Sequence, residues 1–317
     1  MSELQIDMIK CFVLDSMHLV FLGVTKRFLK FLSTRKTSTL SNALVAEISE
    51  RLKSYRGLLP SDFVRQPRPI SDLAYWKATE FRSFIMYTGV VALRDVLSHE
   101  AYEHFLSLSI AIYILSDYDD VFRNRLLNYA KSLLQYYVSN SELLIHTAFP
   151  VYNVHNLLHL VDDVKNYNLP ITEISAFPFE NFLQRMKRFV KGKRFPLQEM
   201  LKRHDEWATQ GHPSHKAKEL KISCSLKDSC FRTEKGIVFL TKKEKNNEYR
   251  AVLYKYELLQ EFYKLRSTPS QTFGTYYISS YVVGKNVIVN IDSLVRKCVV
   301  LPYDNGRVIM TLCHGLY

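Results

Sequence analysis

Two apolar rhythms divide this chain and limit what it can fold into. From Leu73 to Val138 apolar residues return every three or four positions, the period of a helix with one buried face. From Asp228 to Tyr317 the apolar runs are short and β-like: G-I-V-F-L, T-Y-Y-I-S-S-Y-V-V, N-V-I-V-N-I and R-V-I-M-T-L. Turn signals at Lys245-Asn246-Asn247, Gly284-Lys285-Asn286 and Asp304-Asn305-Gly306 separate them. The expected fold class is therefore mainly α with a C-terminal β-rich module, a small barrel or sandwich.

The helical part reads as a block. A helix is expected near Ser41–Tyr55, then a loop broken by Pro60, Pro67 and Pro69. Along Leu73–Leu97, Trp76, Phe81, Phe84, Ile85, Val91 and Leu93 fall on core positions, with Glu80 free to pair with Lys77 or Arg82 across a surface. Further helices are expected at about Glu100–Leu115 and Asp119–Val138. Packing accounts for this block, which shows no internal repeat.

Before it, Cys11–Val24 is apolar except for Asp15 and His18. The two are three apart and share a helix face. A carboxylate in such surroundings needs a partner, which His18 can be. Two readings stand: a helix cap at Asp15 with a core histidine, or a polar pair at the edge of an active site. The sequence enters this core-like segment with little ahead of it to pack against, as a fragment or a gene that has lost its front half would.

The stretch 151–194 concentrates the chemistry. His155 and His159 are four apart, half of a zinc site or two core histidines paired with backbone or Asp; Asp162 and Asp163 follow a turn later. The Glu of an H-E-x-x-H metalloprotease is absent. Ser175 is placed to cap the next helix, and Pro178 suits its first turn. That helix carries Glu180 near its start. Gln184, Lys187, Arg188 and Lys191 follow on one side, and Phe182, Leu183, Met186, Phe189 and Val190 on the other. A carboxylate heading a basic stripe suits a divalent metal beside phosphates; it also describes an ordinary amphipathic helix.

Charge narrows the class of partner. The net charge is +12. Asn181–Lys221 holds eleven Lys or Arg against four Asp or Glu, a local +7. An acidic partner such as nucleic acid is expected, with Arg185, Lys187, Arg188, Lys191, Lys193 and Arg194 as the phosphate-contacting set. Five cysteines with no C-x-x-C pair point to a reducing, intracellular setting rather than a disulfide framework. The longest apolar run, Phe105–Leu115, is about half a membrane span, so no membrane partner is expected.

Taken in order, D-S-M-H followed by L-V-F-L-G-V-T-K-R, then W-K-A-T-E-F-R, N-V-H-N-L-L-H-L and S-A-F-P-F-E-N resemble the C-terminal half of CACTA-type (En/Spm) DNA transposases, and especially animal reading frames derived from them. The likeness spans roughly residues 4–317. A more distant similarity is to the catalytic subunit of the V(D)J recombinase. The resemblance implies a nuclear protein with a partial RNase H-like core interrupted by a helical insertion. Glu180 then matches the last carboxylate of an Asp-Asp-Glu triad. Asp15 and His18 match the Asp-x-x-His pair near the active site, and His155 and His159 half of a Zn²⁺ site. Mg²⁺ or Mn²⁺ would serve an active form, with Glu180 as a metal ligand.

The departures shape the functional expectation. The family's other catalytic carboxylates precede the Asp-x-x-His segment, where only Asp7 is available, and the partner C-x-x-C of the zinc site is missing. Two-metal chemistry draws carboxylates from several elements. The expectation is a transposase-derived DNA-binding protein, of strand-cleaving and strand-transferring ancestry but inactive as this chain alone. A homo-oligomer or another chain would supply the missing core. The alternatives are a non-catalytic DNA-binding protein with its β module as a protein-interaction surface, and a helical zinc protein. The expected division is 1–34 as core remnant, 35–150 as helical insertion, 151–221 as return helices and 222–317 as β module.

Overall fold

The computed structural model describes residues 7, 11–33, 40–192, 194–209 and 221–313. A π-helix, Met17–Thr25, runs directly into α1 (Lys26–Ser33), followed by α2 (Asn42–Ser54). A 3₁₀ turn (Ile70–Tyr75), α3 (Ala78–Ser83), a second π-helix (Phe84–Thr88) and α4 (Gly89–Ala92) lead to the long pair α5 (His99–Ser116) and α6 (Asp120–Leu144). Then come α7 (Tyr152–Asn156), a 3₁₀ turn (Leu157–His159), α8 (Leu160–Tyr167), α9 (Phe177–Phe189) and α10 (Pro196–Thr209). Side-chain caps start the regular helices where the sequence places them. Ser41 accepts from the Leu44 amide, Ser98 from Ala101 and Asp119 from Phe122.

The strands are β1 (Cys230–Thr233), β2 (Gly236–Lys243), β3 (Glu248–Lys255), β4 (Lys264–Leu265), β5 (Thr268–Pro269), β6 (Thr275–Ser279), β7 (Lys285–Asn290), β8 (Arg296–Tyr303) and β9 (Gly306–Thr311). Seven form one antiparallel, curled sheet in the order β6-β9-β8-β1-β2-β3-β7, and β4 and β5 make a separate pair. Asn246 and Asn247 both take positive φ in the β2–β3 turn, as a tight hairpin of this hand requires. Among the described residues no strand precedes Cys230. Residues 17–33 are helical. Val20, Phe21, Val24 and Leu29 on this segment are fully buried in the same hydrophobic cluster as the helical block.

Alternation along the strands explains how the sheet is held. Cys230, Ile237, Tyr254, Tyr276, Ile278, Cys298 and Ile309 share one apolar cluster on one face. On the other face Val299, Leu301, Val308 and Met310 join the helical core, whereas Phe231, Val238, Leu240, Tyr249, Ala251 and Leu253 form a third cluster. The β segment therefore packs into the helices: Tyr113 donates to the Thr311 carbonyl at 2.8 Å, and the Cys313 amide to the Tyr87 hydroxyl at 3.1 Å.

Two charged groups work inside this body. Glu80, expected on a surface, is buried and takes both forks of Arg68 (2.6 and 2.7 Å) while accepting from the Lys77 amide. Lys297, in β8, has a fully buried side chain. Its ammonium donates to Asp228 at 2.6 Å, Asp62 at 2.7 Å and the Lys221 carbonyl at 2.8 Å. Ser61 donates to both oxygens of Asp228. Burial works to raise the Asp228 carboxyl pKa, but Lys297 and Ser61 outweigh it, and the group titrates below the usual carboxylate range. This cluster ties the loop after α2 to the sheet.

Lys297→Met leaves two acids beside a buried void of charge. It is expected to cost about 3–5 kcal/mol in urea unfolding, whereas Lys264→Met, at an exposed pair, costs under about 1 kcal/mol. A second measurement concerns His104, buried and stacked on Tyr137 with ring centroids 4.3 Å apart. Burial lowers its pKa from 6.5 to about 4. Between these values the unfolded chain binds the proton and the folded chain does not. Stability is thus whole above pH 6.5 and falls by roughly 3 kcal/mol on acidification to about 4. His104→Gln should flatten that part of the pH–stability curve.

Candidate functional site

Asp15 is the residue at which the separated motifs meet. Its Oδ1 accepts from the Met17 amide at 3.0 Å and from the Ala176 amide at 2.8 Å. Its Oδ2 pairs with His18 Nδ1. Ala176 is the residue from which α9 starts, so Asp15 caps the helix carrying Glu180 from 161 residues away. Ser175, expected to be that cap, instead donates to the Thr172 carbonyl. A carboxylate at a helix start also meets the positive end of the dipole. Partial burial acts to raise the Asp15 pKa; the Ala176 amide and His18 overcome it, and the net shift is downward.

Neighbouring contacts complete the frame. The Leu14 amide donates to Asp163 at 2.9 Å, and the Ser16 hydroxyl to the Ile171 carbonyl at 2.7 Å. Burial raises the pKa of Asp163. Phe177, the first residue of α9, faces Phe21 at 6.1 Å. Gly23 permits α7 to approach the first π-helix: a Cβ there would lie 2.8 Å from Asn153 Nδ2 and 2.6 Å from the His18 carbonyl. These links bring the Asp15–His18 pair, the His155 segment and the head of α9 into one neighbourhood.

The individual side chains are less concentrated. His18, His155 and His159 are all exposed, so none is a core histidine. The His155 and His159 rings lie 5.6 Å apart, with a 3₁₀ turn closing the interval between α7 and α8. Glu180 is half-buried in the first turn of α9. Among the described residues no three His, Cys, Asp or Glu side chains gather as a metal site. His155 and His159 are two donors where structural zinc takes four, and both oxygens of Asp15 are already engaged. The donor set present does not fit Zn²⁺, Mg²⁺ or Mn²⁺ by itself.

The cations do share a surface. α9 and α10 pack on each other as a hairpin in which no described residue is buried. Lys187, Arg188, Lys191 and Arg194 are exposed, Arg185 lies over the Trp207 ring at 4.8 Å, and Lys193 lies outside the described residues. The basic turn between the helices has an organiser that sequence reasoning missed. Glu199 accepts from the amides of Lys191 at 3.1 Å and Gly192 at 2.8 Å, and pairs with Arg203. The Gly192 amide leads in holding its carboxyl below the usual range. An acid in the first turn of α10, behind a run of cations, was the available signal.

No family model, curated protein or solved structure matches this chain.

Asp15→Ala removes the acceptor at the start of α9. It is expected to cost about 1 kcal/mol and to speed hydrogen exchange at the Ala176, Phe177 and Phe179 amides before the core responds. Acid should mimic it. Because the folded pKa of Asp15 is depressed, its contribution is present above the ordinary carboxylate pKa and is lost as pH falls through the folded value. Unchanged exchange at these amides in the variant would remove Asp15 from this role.

Proposed function

We propose that this chain is a transposase-derived DNA-binding protein that works in the nucleus and does not cleave DNA unaided. The observation that carries the reading is the Asp15–Ala176 hydrogen bond. It joins the D-S-M-H and S-A-F-P-F-E-N motifs, two of the ordered set that carries the transposase resemblance. Beside that junction projects the exposed basic hairpin, a surface on which phosphates can be neutralised without burying a lysine or arginine. A partial RNase H-like core belongs to the same reading, with its strands and remaining carboxylates drawn from a partner chain or a second copy. Divalent-metal chemistry rests on those carboxylates as well.

The test is a labelled duplex titrated with protein at several salt concentrations, with Mg²⁺ or Mn²⁺ present. Binding is expected to weaken steeply with salt. Lys187→Ala and Arg188→Ala are each expected to reduce the salt slope by about one. No nicking is expected from the wild type or from Glu180→Ala. Nicking that disappears in Glu180→Ala would show a complete active site and overturn the unaided-inactivity part. Absence of duplex binding overturns the reading altogether. Zinc content of the purified protein provides a separate check on His155 and His159: a stoichiometric ion lost in a double His→Ala variant would favour the helical zinc protein.

A further inference from the structure

The free edge of the sheet differs from the basic hairpin in both shape and chemistry. β7 ends the strand order and, among the described residues, pairs only with β3. Its sequence, K-N-V-I-V-N, has one lysine at the start and no proline, bulge or inward charge along the rest. Natural edges usually carry such protection. The Ile291 amide donates to the Asn247 carbonyl at the end of the β3–β7 ladder, continuing the register in which Asn290 faces Glu248. By the antiparallel alternation, residues 285, 287 and 289 then turn their backbone groups towards β3. Asn286, Ile288 and Asn290 turn theirs outward.

A groove of about 580 Å³ lies beside this edge. Its apolar floor includes Val238, Leu253, Val287 and Val289. The floor is polarised from end to end. Leu253 faces Lys285 and Gly236 faces Lys255, so Lys235, Lys255 and Lys285 gather at the end where β7 begins. Glu234 lies among them, leaving that end positive, and Asp292 lies at the other end. An antiparallel strand added to β7 would carry its C-terminal end to the lysines. The chain's own charge of +12 opposes a second copy at the same place.

We propose that β7 and this groove bind an extended segment of a partner protein by strand addition. The segment pairs antiparallel to β7, sets alternate apolar side chains against Val287 and Val289 at the rim of the groove, and ends in acidic residues on the side of Lys285, Lys255 and Lys235. Backbone hydrogen bonds to residues 286 and 288 and to the Asn290 amide hold it, the Asn290 carbonyl being taken by the Ser293 hydroxyl, and the groove and lysines select it. This site is independent of the DNA-binding reading.

The probe is a fluorescein-labelled peptide of alternating valine and threonine with a glutamate-rich C-terminus, followed by fluorescence anisotropy with the full chain. A matched peptide with a lysine-rich C-terminus is the control. The acidic peptide is expected to bind at least tenfold more tightly than the basic one, and more weakly as salt rises. Ile288→Pro removes an outward amide while leaving the β3 ladder intact, and Ile288 is 65% exposed, so folding should survive. It should lose binding tenfold or more, whereas Ile288→Thr retains it. Replacing Lys235, Lys255 and Lys285 with Gln should erase the preference for the acidic peptide. Equal binding of both peptides, or binding untouched by Ile288→Pro with the fold intact by circular dichroism, overturns the proposal. So does a concentration-dependent dimer abolished by Ile288→Pro, which would assign the edge to a second copy. Absence of peptide binding also overturns it and leaves the DNA result untouched.

Discussion

The enclosure of α5 is the constraint on which the rest of the structure depends. From Tyr102 to Ser116 nearly every residue of this helix is buried. A helix that is apolar all round needs neighbours on every side. Phe105 meets Phe28 and Phe84, His104 lies against Tyr137 of α6, and Tyr113 reaches β9 through the Thr311 carbonyl. The Leu115 carbonyl accepts from the Ile171 amide. Helices alone leave one side open, and the sheet closes it. This explains why Val299, Leu301, Val308 and Met310 belong to the helical cluster. It also explains why the charged groups between sheet and helices, Lys297 with Asp62 and Asp228, and Arg296 with Asp117, are so fully paired. Groups taken out of water at that boundary must find their partners in the protein.

The same packing sets the position of the polar cluster. The first π-helix lies in the core through Val20, Phe21 and Val24, which leaves Asp15 and His18 at its outer end. Ile171 is pinned to α5 on one side and receives the Ser16 hydroxyl on the other. The chain therefore returns beside Asp15 just before α9 begins. The cap on Ala176 follows from two buried segments laid side by side, more than from any local preference of the α9 sequence.

Much of the architecture was legible because its causes are local. Helical spacing over Leu73–Val138, helix starts near Ser41 and Asp119, and the Asn246-Asn247 turn all act within a few residues. Trp76, Phe81, Phe84, Ile85, Val91 and Leu93 are buried as their spacing requires. The failures share the opposite cause. Glu80 was placed on a surface because Arg68, its partner, comes from the preceding proline-rich loop. Ser175 was assigned a cap that Asp15 supplies from 161 residues away. β8 was overlooked although Cys298–Leu301 is an unbroken apolar run, and Lys297 at its start is explicable only once Asp62 and Asp228 stand beside it. The Asp15–His18 contact was legible at a spacing of three; the exposure of His155 and His159 was not, because it depends on which side of α7 and α8 meets the core.

The cluster also shows why a matching residue is weaker evidence than a free one. Metal-dependent strand cleavage asks a carboxylate to offer lone pairs to an ion. In this fold Asp15 offers Oδ1 to two amides and Oδ2 to His18, and Asp163 accepts from Leu14. These carboxylates hold the chain together where the transposase resemblance would have one of them flank chemistry. The cations of α9 and of the turn before α10 carry no comparable structural load: Lys187, Arg188, Lys191 and Arg194 are exposed, and the turn is fixed by Glu199 instead. A surface without structural duty can meet a charged partner without disturbing the fold. On physical grounds, the acids of this arrangement are therefore committed to the fold, and its cations are the groups left open to a partner.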